Sequence, residues 1–84
     1  MNNLESQGLE EQGFEVWVRV NEKNEIIEVN SNIFIKDFTG WILIDKNVMG
    51  DKGAHAQSHF FDRPLINDNS KYNYKYENGI VKEI

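Results

Sequence analysis

Residues 14–20 read FEVWVRV, and no other feature constrains the fold of this chain as tightly as their alternation. Side chains leave an extended backbone on opposite sides in turn. Phe14, Val16, Val18 and Val20 therefore line one face, and Glu15, Trp17 and Arg19 line the other. The branched valines, stiff at their first torsion, favour a pleated strand over a helix. One strand cannot bury its apolar face alone, so the remaining sequence has to supply partners. The chain has 84 residues and no cysteine. A domain of that size buries only about 60% of the surface its unfolded form exposes. Neither a disulfide nor a thiolate-bound metal is present to compensate.

Partners of the right kind follow. NEKNE (21–25) is a polar loop, and EIIEVN continues it as a second short strand with Ile27 and Val29 in phase. Ser31 and Asn32 interrupt that strand, residues 33–35 extend it briefly, and Thr39 with Gly40 turns the chain. WILID (41–45) is the most apolar segment and does not alternate, the pattern of a short strand covered on both sides and sitting at the centre of the core. DKNVMGDKG (45–53) reads as a loop. Residues 54–61 fit either one helical turn or an irregular extended piece. Pro64 holds Arg63 extended and opens PLI, which ends in the turn-forming NDNS.

KYNYKYENGIVKEI, at residues 71–84, predicts a hairpin with Tyr72, Tyr74 and Tyr76 on one face and Asn78-Gly79 in the turn. Two registers compete. A two-residue turn pairs Tyr76 with Val81 and sets Lys75 against Lys82. A three-residue turn with a bulge at Gly79 pairs Tyr76 with Ile80, Tyr74 with Lys82 and Tyr72 with Ile84. The second gathers the tyrosines and isoleucines on one face, so burial favours it. Together the segments predict a mainly β protein: a small single domain (14–84) of four to five short antiparallel strands in hairpins or a meander, with at most one helical turn. Residues 1–13 are expected to form a flexible arm, since Leu4 and Leu9 give too little apolar surface to fix a helix.

Several functions are disfavoured by composition. Formal net charge is −5, and Arg19 and Arg63 are the only arginines, a poor endowment for neutralising phosphates, so nucleic-acid binding is not expected. The longest apolar run, WILI, is far below the roughly 20 residues that cross a bilayer. The opening MNNLESQGLEE is acidic and polar, the reverse of a secretory signal, so a soluble, unprocessed chain is expected.

Chemistry concentrates in DKGAHAQSHFFD (51–62), which holds both histidines. On a helix His55 and His59 would share a face and could chelate a divalent metal, with Asp51 or Asp62 adding a carboxylate. The spacing alone is common, and the glutamate of an HExxH motif is missing. The plainer reading has Phe60 or Phe61 plugging the core while the histidines bond nearby backbone. No serine elbow, phosphate loop or carboxylate pair in apolar surroundings appears, so neither an enzyme nor a cofactor is expected. Trp17, Trp41, Tyr72, Tyr74 and Tyr76 are the candidates for an interaction surface, facing a protein partner, a second copy or a glycan. Their structural alternative is simply to build core.

The order of segments carries a resemblance. TGW (39–41), Gly50-Asp51, HAQ (55–57), Phe61, Pro64-Leu65, Asp68 and YNYK (72–75) occur in the sequence at set spacings. In this the chain resembles a family of small, largely uncharacterised proteins of prophages and tailed phages of low-GC Gram-positive bacteria. The resemblance spans residues 14–81 and rests on order and spacing. It implies a phage-derived accessory protein made in the host cytoplasm, with association with the tail and carriage on the virion as the expectations to test. It supplies no activity. His59 falls outside the family pattern, and Asn69-Ser70 stands where Asn-Gly is expected.

Overall fold

The structure, a computed structural model, describes residues 13–84. The expected arm therefore lies, Gly13 apart, outside the described residues. Strands β1 (Phe14–Val20), β2 (Ile26–Ser31) and β3 (Ile42–Val48) form an antiparallel sheet in the order β2-β1-β3. Strands β4 (Tyr74–Glu77) and β5 (Ile80–Glu83) form a second, two-stranded sheet. A 3-10 turn (Asn32–Phe34) follows β2 where a brief extension was expected. Two one-turn helices, α1 (Asp51–Ala54) and α2 (Ala56–His59), link the sheets and are separated by His55, whose φ of −123° and ψ of 51° leave the helical region. The protein is mainly β, as the alternation predicts.

β1 is the centre of the molecule. Val16 and Val18 have no exposed surface, and Ile26, Val29, Ala56 and Tyr74 complete the buried cluster. WILID does not hold that position. Among the described residues its strand pairs with β1 alone, and Ile42, Leu43 and Ile44 are only half-buried. Its unbroken apolarity has a different cause. Ile42 and Ile44 pack on the core, whereas Leu43 lies opposite Trp17 on the far face of the sheet. The strand also runs on to Val48 through exposed Asp45, Lys46 and Asn47, residues read from sequence as loop. An edge strand tolerates them because water reaches its open side.

The pairing of β1 with β2 slips once. Arg19 faces Glu28 and Val20 faces Ile26, so Ile27 is an extra residue in a bulge. Ile26 and Val29 both turn inward as a result, and Ile26 replaces Ile27 as the core residue. At the other end of β2 the side chain of Asn32 accepts the Glu15 N–H at 3.0 Å, which ties the 3-10 turn to β1. Helix α1 sits tightly on the sheet. A Cβ at Gly53 would collide with the Val48 carbonyl and touch Cβ of Phe14, so only glycine allows this approach.

Two loops use one device. Asn21 Oδ1 accepts N–H groups from Lys23 and Glu25, and Asn67 Oδ1 accepts them from Asn69 and Lys71. The fourth residue of each, Asn24 (φ 66°) and Ser70 (φ 64°), is left-handed. Ser70 thus takes a left-handed conformation that glycine adopts more readily.

The hairpin takes the two-residue turn, contrary to the register that burial favoured. Asn78 (φ 54°) and Gly79 (φ 80°) are both left-handed, and Tyr76 faces Val81, Lys75 faces Lys82, and Tyr74 faces Glu83. That turn geometry matches the twist of the flanking strands. The rejected register would also have placed Lys82 beside Tyr74, on the face that packs into the core. In the observed one the inward charge is Glu83, paired at the rim with Arg63 at 3.2 Å. The hairpin docks on the first sheet through the Tyr76 N–H, which donates to the Asn24 carbonyl at 2.9 Å, and through a bridge between Glu25 and Lys75.

Candidate functional site

Because Val16 and Val18 face the core, Trp17 and Arg19 must face away from it. Their neighbours across the sheet are Asn30 and Leu43 for Trp17, and Glu28 for Arg19. Trp17 is half-buried. Its Nε1 donates to Glu15 Oε1 at 3.1 Å, and its ring lies 4.6 Å from that of Phe38 at an angle of 58°. The Arg19 guanidinium sits 5.8 Å above the Trp41 ring and pairs with Glu28 at 2.9 Å. The outer face of the first sheet is therefore an aromatic cluster with one arginine held over it.

The loop before β3 builds part of this cluster. Asp37 Oδ1 accepts the Thr39 N–H at 2.9 Å, closing a side-chain turn that brings Phe38 over Trp17. The backbone N–H and then the side chain of Thr39 hold the Asp37 carboxyl below its ordinary range. Sequence reading placed Trp17 and Trp41 in the surface but missed Phe38 and Arg19. Arg19 could have been found from its phase with Trp17. Phe38 could not, because its position depends on a loop.

The tyrosines separate from the tryptophans. Tyr74 is core: its ring lies 4.3 Å from Phe61, its hydroxyl accepts the Arg63 N–H, and the Arg63 guanidinium lies 5.4 Å from its ring centroid. Tyr76 is half-buried against the same core, and Tyr72 is half-buried in a bridge to Ile66. They do not form an exposed ladder. Asn73, out of phase with the tyrosines, is buried as well. Its side chain donates to the Pro64 carbonyl at 2.7 Å, and its backbone bonds Leu65 and Ile84. It clasps three segments together.

His55 and His59 are both exposed, with ring centroids 6.3 Å apart and Phe34 beside His55. Nδ1 of His59 bonds the Ser58 hydroxyl at 2.8 Å. Among the described residues no group of three or more His, Asp or Glu side chains converges on a point where a metal could sit. Asp51 and Asp62 do not join the pair. Phe60 and Phe61 pack against the core, edge to face, 5.1 Å apart, as the plainer reading of this stretch expects of them, whereas among the described residues the His59 ring bonds a hydroxyl and not the backbone. A cleft of about 310 Å³ lies between β2 and residues 57–65, with Phe61, Asp62 and Arg63 in its wall, and neither histidine lines it.

No helix among the described residues is long and apolar enough to cross a membrane. Compared with known proteins, the chain matches no family model, no curated protein and no solved structure.

Proposed function

We propose that this is a non-enzymatic accessory protein, of the phage or prophage kind its sequence resembles, that works by protein–protein contact through the outer face of its first sheet. The observation that carries this is the cluster of Trp17, Phe38 and Trp41 with Arg19 above it. Tryptophan and arginine are the residue types most enriched at the energetic centres of protein interfaces. Placing them on the face opposite the core suits a contact surface. The test is cross-linking in the producing host followed by mapping of the linked peptides, with purified particles assayed for the chain. Cross-links should concentrate on residues 17–43 and disappear in Phe38→Ala and Trp41→Ala. A chain absent from particles, with links scattered over its whole surface, would end the proposal.

A second reading, binding of a cell-wall glycan, is favoured by the same rings standing beside Asn30 and Glu28, which could hydrogen-bond sugar hydroxyls. The 58° tilt between Trp17 and Phe38 breaks the shelf into two planes. That suits an irregular protein surface better than the flat face of a sugar. Tryptophan fluorescence titrated with peptidoglycan fragments separates the two, since only the glycan reading expects a saturable change.

A further inference from the structure

Among the described residues the edges of β3 and β5 are open, and they are not alike. The pairing of β3 with β1 slips twice, Asn47 is left-handed at φ 57°, and exposed Asp45 and Lys46 precede it. Bulges and charges of this kind are how edges are blunted against other strands. β5 has an unbroken register with β4 and no bulge. The Tyr76 N–H points away from β5, to Asn24. In an antiparallel ladder the residue opposite must then point its own backbone groups the other way, outward from the hairpin. Val81 and, two residues on, Glu83 therefore offer their N–H and C=O groups along a regular free edge.

The face beside that edge carries an electrostatic conflict. Lys75 and Lys82 are directly opposed, and like charges in that position destabilise a sheet. Lys75 has a counter-charge in Glu77 at 3.3 Å, whereas Lys82 has no ion pair among the described residues. Ile80 and Ile84, two residues to either side of Lys82, are 55% and 61% exposed. Among the described residues an open strand edge, an ammonium without an ion pair and two flanking apolar side chains thus occupy a single row.

We propose that β5 receives an extended acidic segment of another protein as an added antiparallel strand, with one carboxylate opposite Lys82 and apolar side chains two residues to either side. This rests on the reading of the protein as a contact module, and it names the partner's chemistry. Hydrogen bonds to Val81 and Glu83 fix the register. The residue facing Lys82 then belongs to a non-hydrogen-bonded pair, the closer kind, with Cα atoms about 4.5 Å apart. The incoming carboxylate extends the row Glu25, Lys75, Lys82 to a balanced set of charges. A second copy of β5 does this poorly. Two-fold pairing centred on Lys82 opposes the two ammonium groups, and pairing centred on Val81 sets each lysine against Ile80. In both cases Lys82 stays without a counter-charge, so the same residue that attracts an acidic strand rejects self-pairing.

The test is a nuclear magnetic resonance titration of the isotope-labelled full chain with two synthetic peptides. Both follow the pattern apolar–polar–X–polar–apolar with threonine flanks, and X is glutamate in one and lysine in the other. The glutamate peptide should bind about tenfold more tightly, shift the amides of Val81 and Glu83, and slow their hydrogen exchange. Lys82→Glu should reverse the preference, and Lys82→Gln, which adds no new charge, should abolish it. Equal affinities for the two peptides would overturn the proposal, as would binding that leaves Val81 and Glu83 unprotected. Binding that appears only once residues 1–12 are removed would overturn it too, by assigning the edge to the chain's own amino-terminal segment. If neither peptide binds while cross-links on the outer face remain sensitive to Trp41→Ala, this inference falls and the proposed function stands.

Discussion

In the three-stranded sheet, pairing gives way so that apolar side chains can reach the core. Ile27 is squeezed into a bulge so that Ile26 and Val29 both turn inward, and β3 slips twice along β1. In the hairpin the opposite happens. The Asn78-Gly79 turn sets the register, leaving Ile80 in solvent and two lysines face to face. The difference follows from what each strand covers. β1 has a neighbour on each side and a core beneath it, so fully burying one isoleucine is worth roughly 2–3 kcal/mol and can outweigh a local break in the ladder. The inner face of the hairpin has room for Tyr74, Tyr76 and Val81, and any slip would bring a lysine in with them. Burial decides the register where there is a deep core to fill. Turn geometry decides it where there is not.

The largest expected effect tests that division. Ile26→Ala removes a side chain with no exposed surface and should cost about 3 kcal/mol, measured by chemical denaturation. Ile80→Ala removes the same atoms from a side chain 55% exposed and should change stability by no more than about 0.5 kcal/mol. Comparable losses at the two positions would mean that the hairpin carries a core of its own, and the contrast would collapse.

The same contrast explains what could be read from the sequence. The alternation in FEVWVRV and the paired valines gave β1 its faces correctly, because period-two placement is local and needs no knowledge of neighbours. Ile26 was missed because a bulge is a property of two strands, not of one. WILID was placed at the centre because a run apolar on both faces looks covered on both. Here one face meets the core and the other meets Trp17, itself a surface residue. Asn73 departs from its phase because residues 61–67 pack under the hairpin, a contact between segments that no pattern within either one announces. Of the candidate surface, the tryptophans were legible from phase, whereas Phe38 needed the Asp37–Thr39 turn to bring it in.

A middle-sized effect is expected from Gly79→Ala. Gly79 stands at φ 80°, where a side chain is strained although nothing among the described residues lies within 4 Å to clash with it. The cost should be about 1 kcal/mol, and it should be local. Hydrogen exchange should accelerate in residues 74–83 and remain unchanged in β1. If the turn sets the register, the strained variant should also sample the bulged alternative, visible as new cross-peaks between Tyr76 and Ile80. A variant that destabilises β1 as much as β5 would show instead that the two sheets unfold as one unit, tied by the bridge between Glu25 and Lys75.

The smallest effect carries the opposite sign. Lys82→Glu turns an opposed pair of like charges into an attractive one, worth about 0.5 kcal/mol at low salt because both groups are reached by water. The melting temperature should rise by roughly 2–4 °C, and the gain should fade as salt screens the pair. No rise at low ionic strength would mean that the two ammonium groups avoid each other in solution, leaving no conflict for a partner to relieve. A rise would show that Lys82 sits in β5 at the expense of the hairpin's own stability. The same substitution, by reversing which peptide the edge accepts, would then tie that cost to recognition and not to folding.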